Sequence, residues 1–407
     1  MNILFVHNNF PAQFRHVARS LAAGGHKVAA IGGPSAQPIA GTDLHTYRHG
    51  RGSAKDIHPF AIRFERDCLL GEAAAGLAER LAANGYRPDV VVGHVGWGEL
   101  LFLKDIWPQA RVIAYAEFYY HGQGADVGFD PEFGDSDLAN RMRVRAKNAG
   151  IALAVAEADG AVTPTEWQRS SYPQSLRPQI VVIHDGIDTG DASPKSDERL
   201  RIPNGPSLRT GEEVVTYVNR YLEPMRGIHV FLRALPDILA ARPHAHAVIM
   251  GSDQGKGYGG RAAGGRSWKE LMLDELGARL DTSRVHWLGR VDRSIFLKAL
   301  AVSRVHVYLT YPFVLSWSML EAMSAGCLLV ASDTPPVREV VENGRNGLLV
   351  DFFDPKTLAH KVIDCLAQPH EAFSALRAAA RQTVIERYDR RACVARLVTY
   401  IEDVAQR

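Results

Sequence analysis

Short apolar runs of strand length alternate with amphipathic segments of helix length along almost the whole chain. That alternation restricts the fold more than any other feature of the sequence. NILFV (2–6), KVAAI (27–31), DVVVG (89–93), RVIAYA (111–116) and IVVIHDG (180–186) are too short for helices and too continuously apolar for half-exposed strands. Between them lie segments with apolar residues at helical spacing, such as PAQFRHVARSLAAGGH, with its Gly-Gly stop, and FERDCLLGEAAAGLAERLAANG. TPTEW (163–167) offers Thr163 as an N-cap, Pro164 at the first helical position and Glu166 to close a capping box. The pattern breaks at 189–212, TGDASPKSDERLRIPNGPSLRTGE, which is polar, rich in Pro, Gly and Ser, and without periodicity. It resumes with EVVTYVN, HAVIM, RVHWLG, RVHVYL, CLLVAS and GLLVD.

Strands that are buried on both faces and separated by helices build parallel sheets with helices on either side. The expected fold class is α/β, with two doubly wound, Rossmann-like parallel-sheet domains at 1–188 and 213–388. They should be joined by a linker, 189–212, and face each other across a crevice. A chain of 407 residues has room for two such cores. The amphipathic segment 389–407 can pack on either domain, including back onto the first. Doubly wound sheets bind ligands outside the carboxyl ends of their strands, so candidate groups belong in the loops that follow strands.

Composition removes several classes. A net charge of +2 gives no case for nucleic-acid binding, and no apolar run approaches the ~20 residues of a membrane helix. MNILFVHNN reads as a strand without a basic leader, which points to the cytoplasm. The cysteines, at 68, 327, 365 and 393, are scattered, which argues against structural zinc and for a reducing compartment. HNNFPAQFRH, after the first strand, lacks the Gly-x-Gly-x-x-Gly fingerprint, so a dinucleotide cofactor is disfavoured. MGSDQGKGYGGRAAGG fails as a phosphate loop. Counting back from Lys256, the first glycine falls on Met250, and Gly257 stands where Ser or Thr is needed.

The remaining candidates sit at strand ends. Arg220 closes a strand and Arg226 opens the next helix, so the pair suits a diphosphate, although on these residues alone the solvated surface pair is the favoured reading. In LTYPFVLSWSMLEAMSAG (309–326), a helix from Met319 to Ala325 stops at Gly326. Its leading amides, from Val314, Leu315 and Ser316, would point at a ligand. Glu321 fits two roles equally: partner of Ser318 in a capping box, or acceptor for two ribose hydroxyls. In the other half, Glu117, Tyr119, Tyr120 and His121 follow RVIAYA, Asn9 and Phe10 follow the first strand, and His94 follows another. The run NRMRVRAKN (Arg141, Arg143, Arg145, Lys147) winds around a helix and reads mainly as solvated surface. Contact with an anionic acceptor or a membrane is the lesser reading.

The strand–helix pattern, together with NRYLEPMRG and SWSMLEAMSAGCLLVASDTPPVREVVENGRNGLLV, resembles the retaining glycosyltransferases of family four, which have the GT-B fold. The resemblance runs over nearly the whole chain and is most specific at 214–235 and 309–351. It implies that Arg220 and Arg226 hold the donor diphosphate, with one residue more between them than the common pattern, and that Glu321 binds the ribose. The family's first glutamate, eight positions earlier, is Phe313 here, which leaves sugar contacts to the amides of Val314 to Ser316. Where the family often has a histidine near the reacting sugar, this chain has Glu117. The implied catalytic set is Glu117, Arg220 and Arg226, with Asn9, Phe10, His94, Tyr119, Tyr120 and His121 near the acceptor or donor.

The implied activity is retaining, metal-independent transfer of a sugar from a UDP-, GDP- or ADP-sugar, without a cofactor. The acceptor would be a glycan, lipid or small molecule, in polysaccharide, glycolipid or other glycoconjugate synthesis, in the cytoplasm or peripherally at the inner membrane face. The alternatives are a sugar-nucleotide epimerase or phosphorylase of the same fold, or a catalytically silent nucleotide-sugar-binding protein.

Overall fold

Seven parallel strands pair in the order β3-β2-β1-β4-β5-β6-β7. They are β1 (Asn2–Val6), β2 (Lys27–Gly32), β3 (Thr42–Thr46), β4 (Val90–His94), β5 (Arg111–Tyr115), β6 (Gly160–Thr163) and β7 (Ile180–Val182). The computed structural model describes residues 1–134, 137–254, 257–259 and 262–407, and these divide into two units. This sheet belongs to the first unit, Met1–Gly186 with Arg390–Arg407. The continuous apolar reading of β1 has a direct cause, because helices cover both faces. Leu4 and Val6 pack with Leu70, Ala74 and Ala78 of the helix Ile62–Ala83. Ile3 and Phe5 pack on the opposite face with Val17 and Leu21 of the helix Arg15–Ala23 and with Leu397, Ile401 and Val404 of the helix Arg390–Ala405. Each Val, Leu, Ile or Phe among them contributes about 1.5–3 kcal/mol on full burial. Strand order reverses between β1 and β4, so His7 and His94, at the carboxyl ends of those strands, stand at the switch point.

One helix start differs from the sequence expectation. Thr163 is not the cap; it is the last residue of β6, paired with Val182 of β7. Thr165 caps the helix Glu166–Ser171 instead, accepting from the Gln168 amide. Sheet pairing claims Thr163 and moves the helix start two residues on.

The second unit, Ile187–Asp389, begins with a larger correction. Residues 189–212 are not a free linker; all of them lie inside this unit. They form an antiparallel pair, β8 (Arg199–Arg201) and β9 (Ser207–Arg209), which buries Leu200, Ile202 and Leu208 against Val214 and Val248. Three apolar residues spaced among charged ones suffice to seat a hairpin, and the polar composition hid them.

The main sheet has the order β12-β11-β10-β13-β14-β15, all parallel. Its strands are β10 (Val214–Tyr221), β11 (His246–Ser252), β12 (Val285–Gly289), β13 (Val305–Tyr308), β14 (Leu328–Ser332) and β15 (Leu348–Val350). Strand order reverses between β10 and β13, so the second switch point lies where Arg220 and the 309–318 segment emerge. Gly227, at φ 72°, starts the next helix there. A Cβ on it would come within 2.4 Å of Leu309 Cβ, so the close approach of the two loops requires glycine. Among the described residues no helix is long and apolar enough to cross a membrane.

Candidate active site

A cavity of about 440 Å³ opens at the carboxyl end of the second sheet, lined by the ends of β10, β11 and β12 and by the start of the helix Trp317–Ser324. Strand β10 slips register against β11 between Val218 and Tyr221. At the slip Asn219 is buried and Arg220 exposed, and both residues line the cavity. Two arginines that sequence reasoning passed over, Arg290 and Arg293, join Arg220 there. Both follow the apolar run of β12, and that placement is the signal that could have found them.

Glu321 lines the same cavity. Its Oε1 accepts from Arg293 Nη1 at 2.5 Å, while Arg293 Nε donates to Asp191 Oδ2 at 2.7 Å. Burial pushes the Glu321 carboxyl above its usual range, and the Arg293 charge opposes that shift. Three guanidiniums against one carboxylate in the lining leave the cavity positive, the electrostatics a diphosphate requires.

The capping-box role for Glu321 is excluded by the geometry. Ser316, with extended backbone, is the N-cap, and its Oγ accepts from the Ser318 amide. The box position is then Met319, and Glu321 lies beyond it. A second correction concerns the amides at this helix start. Ser316 N–H already donates to Tyr308 Oη at 2.9 Å, so it is not open to a ligand. Val314 and Leu315 are half-buried, Val314 accepts through its carbonyl, and Leu315 packs on the Tyr308–Met319 core.

Arg226 is not beside Arg220 in the cavity lining. It is buried, and its Nη1 donates to Thr310 Oγ1 and to the Val314 carbonyl, both at 2.9 Å. Phe313 is 1% exposed, with its ring centroid 5.5 Å from the Arg226 guanidinium and 4.8 Å from the Tyr258 ring. Arg226 thus braces the 310–314 turn from beneath. Lys256, from which the phosphate-loop spacing was counted, lies outside the described residues.

In the first unit the switch point gathers His7, Gln13, His94 and Glu117. His94 Nδ1 accepts from the Gly96 amide at 2.9 Å, so its proton sits on Nε2, which faces Glu117 Oε2 at 3.5 Å. Gln13 Nε2 donates to Glu117 Oε1 at 2.9 Å, and Gln168 Nε2 donates to the Glu117 carbonyl at 2.6 Å. His7 repeats the turn, with Nδ1 accepting from the Asn9 amide, and its ring meets His94 edge-on at 5.0 Å. Burial, and then the electrostatic influence of the neighbouring His94, pull the His7 imidazole well below its ordinary range. The cluster offers one carboxylate held by two side-chain donors, an arrangement that can orient a hydroxyl or face a positive charge.

The other candidates of this half are engaged elsewhere. Phe10 is fully buried against Phe5, a core residue rather than a loop contact. The Tyr119 amide donates to Ser171 Oγ, Tyr120 exchanges backbone bonds with the Asn148 side chain, and His121 Nε2 lies 2.9 Å from the Ser171 carbonyl. These contacts tie the 119–121 loop to its helices. The basic run forms the helix Leu138–Lys147 without a buried residue, but Lys147 is not freely solvated. Its ammonium sits 3.0 Å from the Tyr120 ring centroid, and burial pulls it down to about 8.

Comparison with known proteins places this geometry among relatives. Residues 24–191 match the family model described as glycosyl transferase family 4 group, and residues 212–368 match that of glycosyl transferases group 1. A phosphatidyl-myo-inositol mannosyltransferase of Mycobacterium tuberculosis is 27% identical over 254 residues, 60% of this chain and 60% of that protein. Spore coat protein SA of Bacillus subtilis is 28% identical over 211 residues, 49% of this chain and 52% of that protein. The chain thus spans about 60% or less of the length of these curated relatives. Among solved structures, sucrose-phosphate synthase from Thermosynechococcus elongatus superposes with a TM-score of 0.71 at 18% identity, covering 99% of both chains. The crystal structure of Anabaena HepE in complex with UDP and glucose gives 0.67 at 15% identity, covering 99% of this chain and 100% of that one. At such identities the structures establish the fold, GT-B.

Proposed function

Because this chain belongs to the glycosyltransferases of the family 4 type, we propose that it moves a sugar from a nucleoside-diphosphate sugar to an acceptor hydroxyl with retention of configuration. One observation carries the reading: Arg220, Arg290, Arg293 and Glu321 meet around one cavity at the switch point of the second sheet. The arginines would hold the diphosphate and stabilise the charge that develops as it leaves; preorganised electrostatics of this kind is commonly the largest catalytic contribution. The free lone pairs of Glu321 would accept from ribose hydroxyls while Arg293 fixes its orientation. Arg226 would act through the 310–314 turn, which it holds in place, and not by reaching the phosphates itself.

Retention would follow front-face attack. The acceptor oxygen bonds to the anomeric carbon on the face the phosphate leaves, and the departing phosphate oxygen takes the acceptor proton. No protein nucleophile and no metal is assigned to this step. Glu117, steadied by Gln13 and His94, would orient the acceptor or face the positive charge at the sugar. The likeness to Anabaena HepE, whose crystal structure holds UDP and glucose, supports a nucleoside-diphosphate donor. The mannosyltransferase relatives support a lipid or glycan acceptor, and the reaction would take place in the cytoplasm or peripherally at the inner membrane face.

The rival reading is a protein that binds sugar nucleotides without turning them over. Phe313, buried against Arg226 where a sugar-contacting glutamate would serve catalysis, is the observation that favours it. The deciding experiment presents the purified chain with UDP-, GDP- and ADP-sugars. A transferase raises its melting temperature with one of them and slowly hydrolyses it, and Arg220→Ala weakens the parent nucleotide by ~1.5–3 kcal/mol. Stabilisation without any hydrolysis would leave the silent binder, and unaltered affinity in Arg220→Ala would move the donor site elsewhere.

A further inference from the structure

At the opposite pole of the second sheet, a cavity of about 340 Å³ lies against the residues that enter β10, β13 and β14. Its charged lining is entirely basic: Lys195, Arg304, Arg377 and Arg381, with His370 beside them. Leu300, Ala301, Ala325 and Pro194 supply an apolar wall.

These arginines lack carboxylate partners among the described residues; what they contact is mostly backbone oxygen. Arg304 Nη2 donates to the Gln368 carbonyl, Arg377 bonds the His370 ring and carbonyl, and Arg381 holds the Thr189, Ala192 and Ser324 carbonyls. Of five N–H donors each, Arg304 commits one and Arg377 two, which leaves unused donors on both. Burial draws both guanidiniums below the usual arginine range, and for Arg377 the Arg304 charge adds to it. The nearest acidic influences are Glu213, already paired with Arg242, and Glu371, which is exposed and outside the lining. The Thr189, Ala192 and Ser324 carbonyls account for Arg381. They do not account for collecting four further cationic or basic groups, Lys195, Arg304, Arg377 and His370, around one cavity.

We propose that this cavity binds a small organic phosphate at a site separate from the donor pocket. The phosphate would take the unused donors of Arg304 and Arg377 with Lys195 at the mouth, and the apolar wall would receive a carbon skeleton. The volume is near the lower edge of the ~300–1,000 Å³ of small-molecule pockets, too roomy for a lone inorganic ion.

The site also has a physical route to the donor pocket. Arg381 holds the 189–192 backbone, Asp191 in that segment pairs with Arg293, and Arg293 pairs with Glu321. A ligand that shifts Arg381 would therefore move the Arg293–Glu321 pair. That coupling rests on the donor reading above; the binding itself does not.

The test is calorimetric titration of the full chain with ribose 5-phosphate, with ribose and inorganic phosphate as controls, no donor present. Saturable one-to-one binding is expected, with ribose silent and inorganic phosphate weaker by roughly tenfold or more. Arg377→Gln should weaken ribose 5-phosphate by roughly tenfold or more, and Lys195→Gln, at an exposed position that cannot disturb folding, by a few-fold. Binding should persist when UDP is saturating. The proposal is overturned by absence of saturable binding, by one-for-one displacement by UDP, by inorganic phosphate matching ribose 5-phosphate, or by wild-type affinity in Lys195→Gln.

Discussion

Glu321 and Ser316 show what a single residue's setting decides. Ser318-Met-Leu-Glu321 satisfies the spacing of a capping box, yet the serine two places earlier caps the helix, because Tyr308 Oη takes its amide and fixes its backbone outside the helix. Ser316→Ala should therefore cost about 1 kcal/mol of stability, read as a lower melting temperature of the second unit. Glu321→Gln keeps the shape of the side chain and removes the charge that faces Arg293. Nucleoside-diphosphate affinity should fall by roughly 1–2 kcal/mol with folding intact, the difference between charged and neutral acceptors. Unchanged affinity would leave Glu321 as a partner of Arg293 only. The sequence displayed Arg220 and Glu321 because each sits in a recognisable local pattern. Arg293 lay hidden because its meaning comes from a partner 28 residues away, across a fold no local window contains.

At the scale of elements, strand–helix alternation was readable because burial on both faces removes polar residues from strands, as β1 and β4 illustrate. The β8–β9 hairpin was not, because a two-strand ribbon against a core needs only Leu200, Ile202 and Leu208 to be apolar. The expectation of an unstructured 189–212 implies that Leu208→Ala is harmless. The hairpin implies a loss of about 2–5 kcal/mol, the cost of truncating a buried leucine. Denaturant unfolding of that variant distinguishes the two, and near-wild-type stability would return the segment to a linker. Likewise, Thr163 and Thr165 compete for one cap, and the register of β6 against β7 chooses between them.

For the whole molecule, buried histidines make stability depend on pH. His184 follows β7, and its Nδ1 accepts from the Gly186 amide, the same turn that His7 and His94 make. Burial pulls it down to about 4. Burial alone likewise pulls His306, inside the second unit, to about 3. A folded-state value below the unfolded one means that acid favours the unfolded chain. The contribution is intact above about pH 6.5 and is lost as pH falls toward the folded value. His184→Asn keeps an acceptor for the Gly186 amide, because Asn makes the same local turn, but it cannot titrate. Between about pH 6.5 and 4 its unfolding free energy should fall by about 3 kcal/mol less than wild type. Equal acid sensitivity in the two proteins would show that His184 is not protonated selectively on unfolding.

The first unit is built from two separated stretches, and this has a consequence for how the protein is made. Residues 390–407 supply Leu397, Ile401 and Val404, which cover one face of the first sheet. They leave the ribosome only after the whole second unit. At ~5–20 residues per second, those roughly two hundred intervening residues take about 10–40 s to translate. For that interval the nascent first sheet presents Ile3, Phe5 and their neighbours without their closing helix, whereas every residue of the second unit comes from the single stretch then being translated. The part of the protein synthesised first is thus the part finished last, and until then that one apolar face is open to association with other chains.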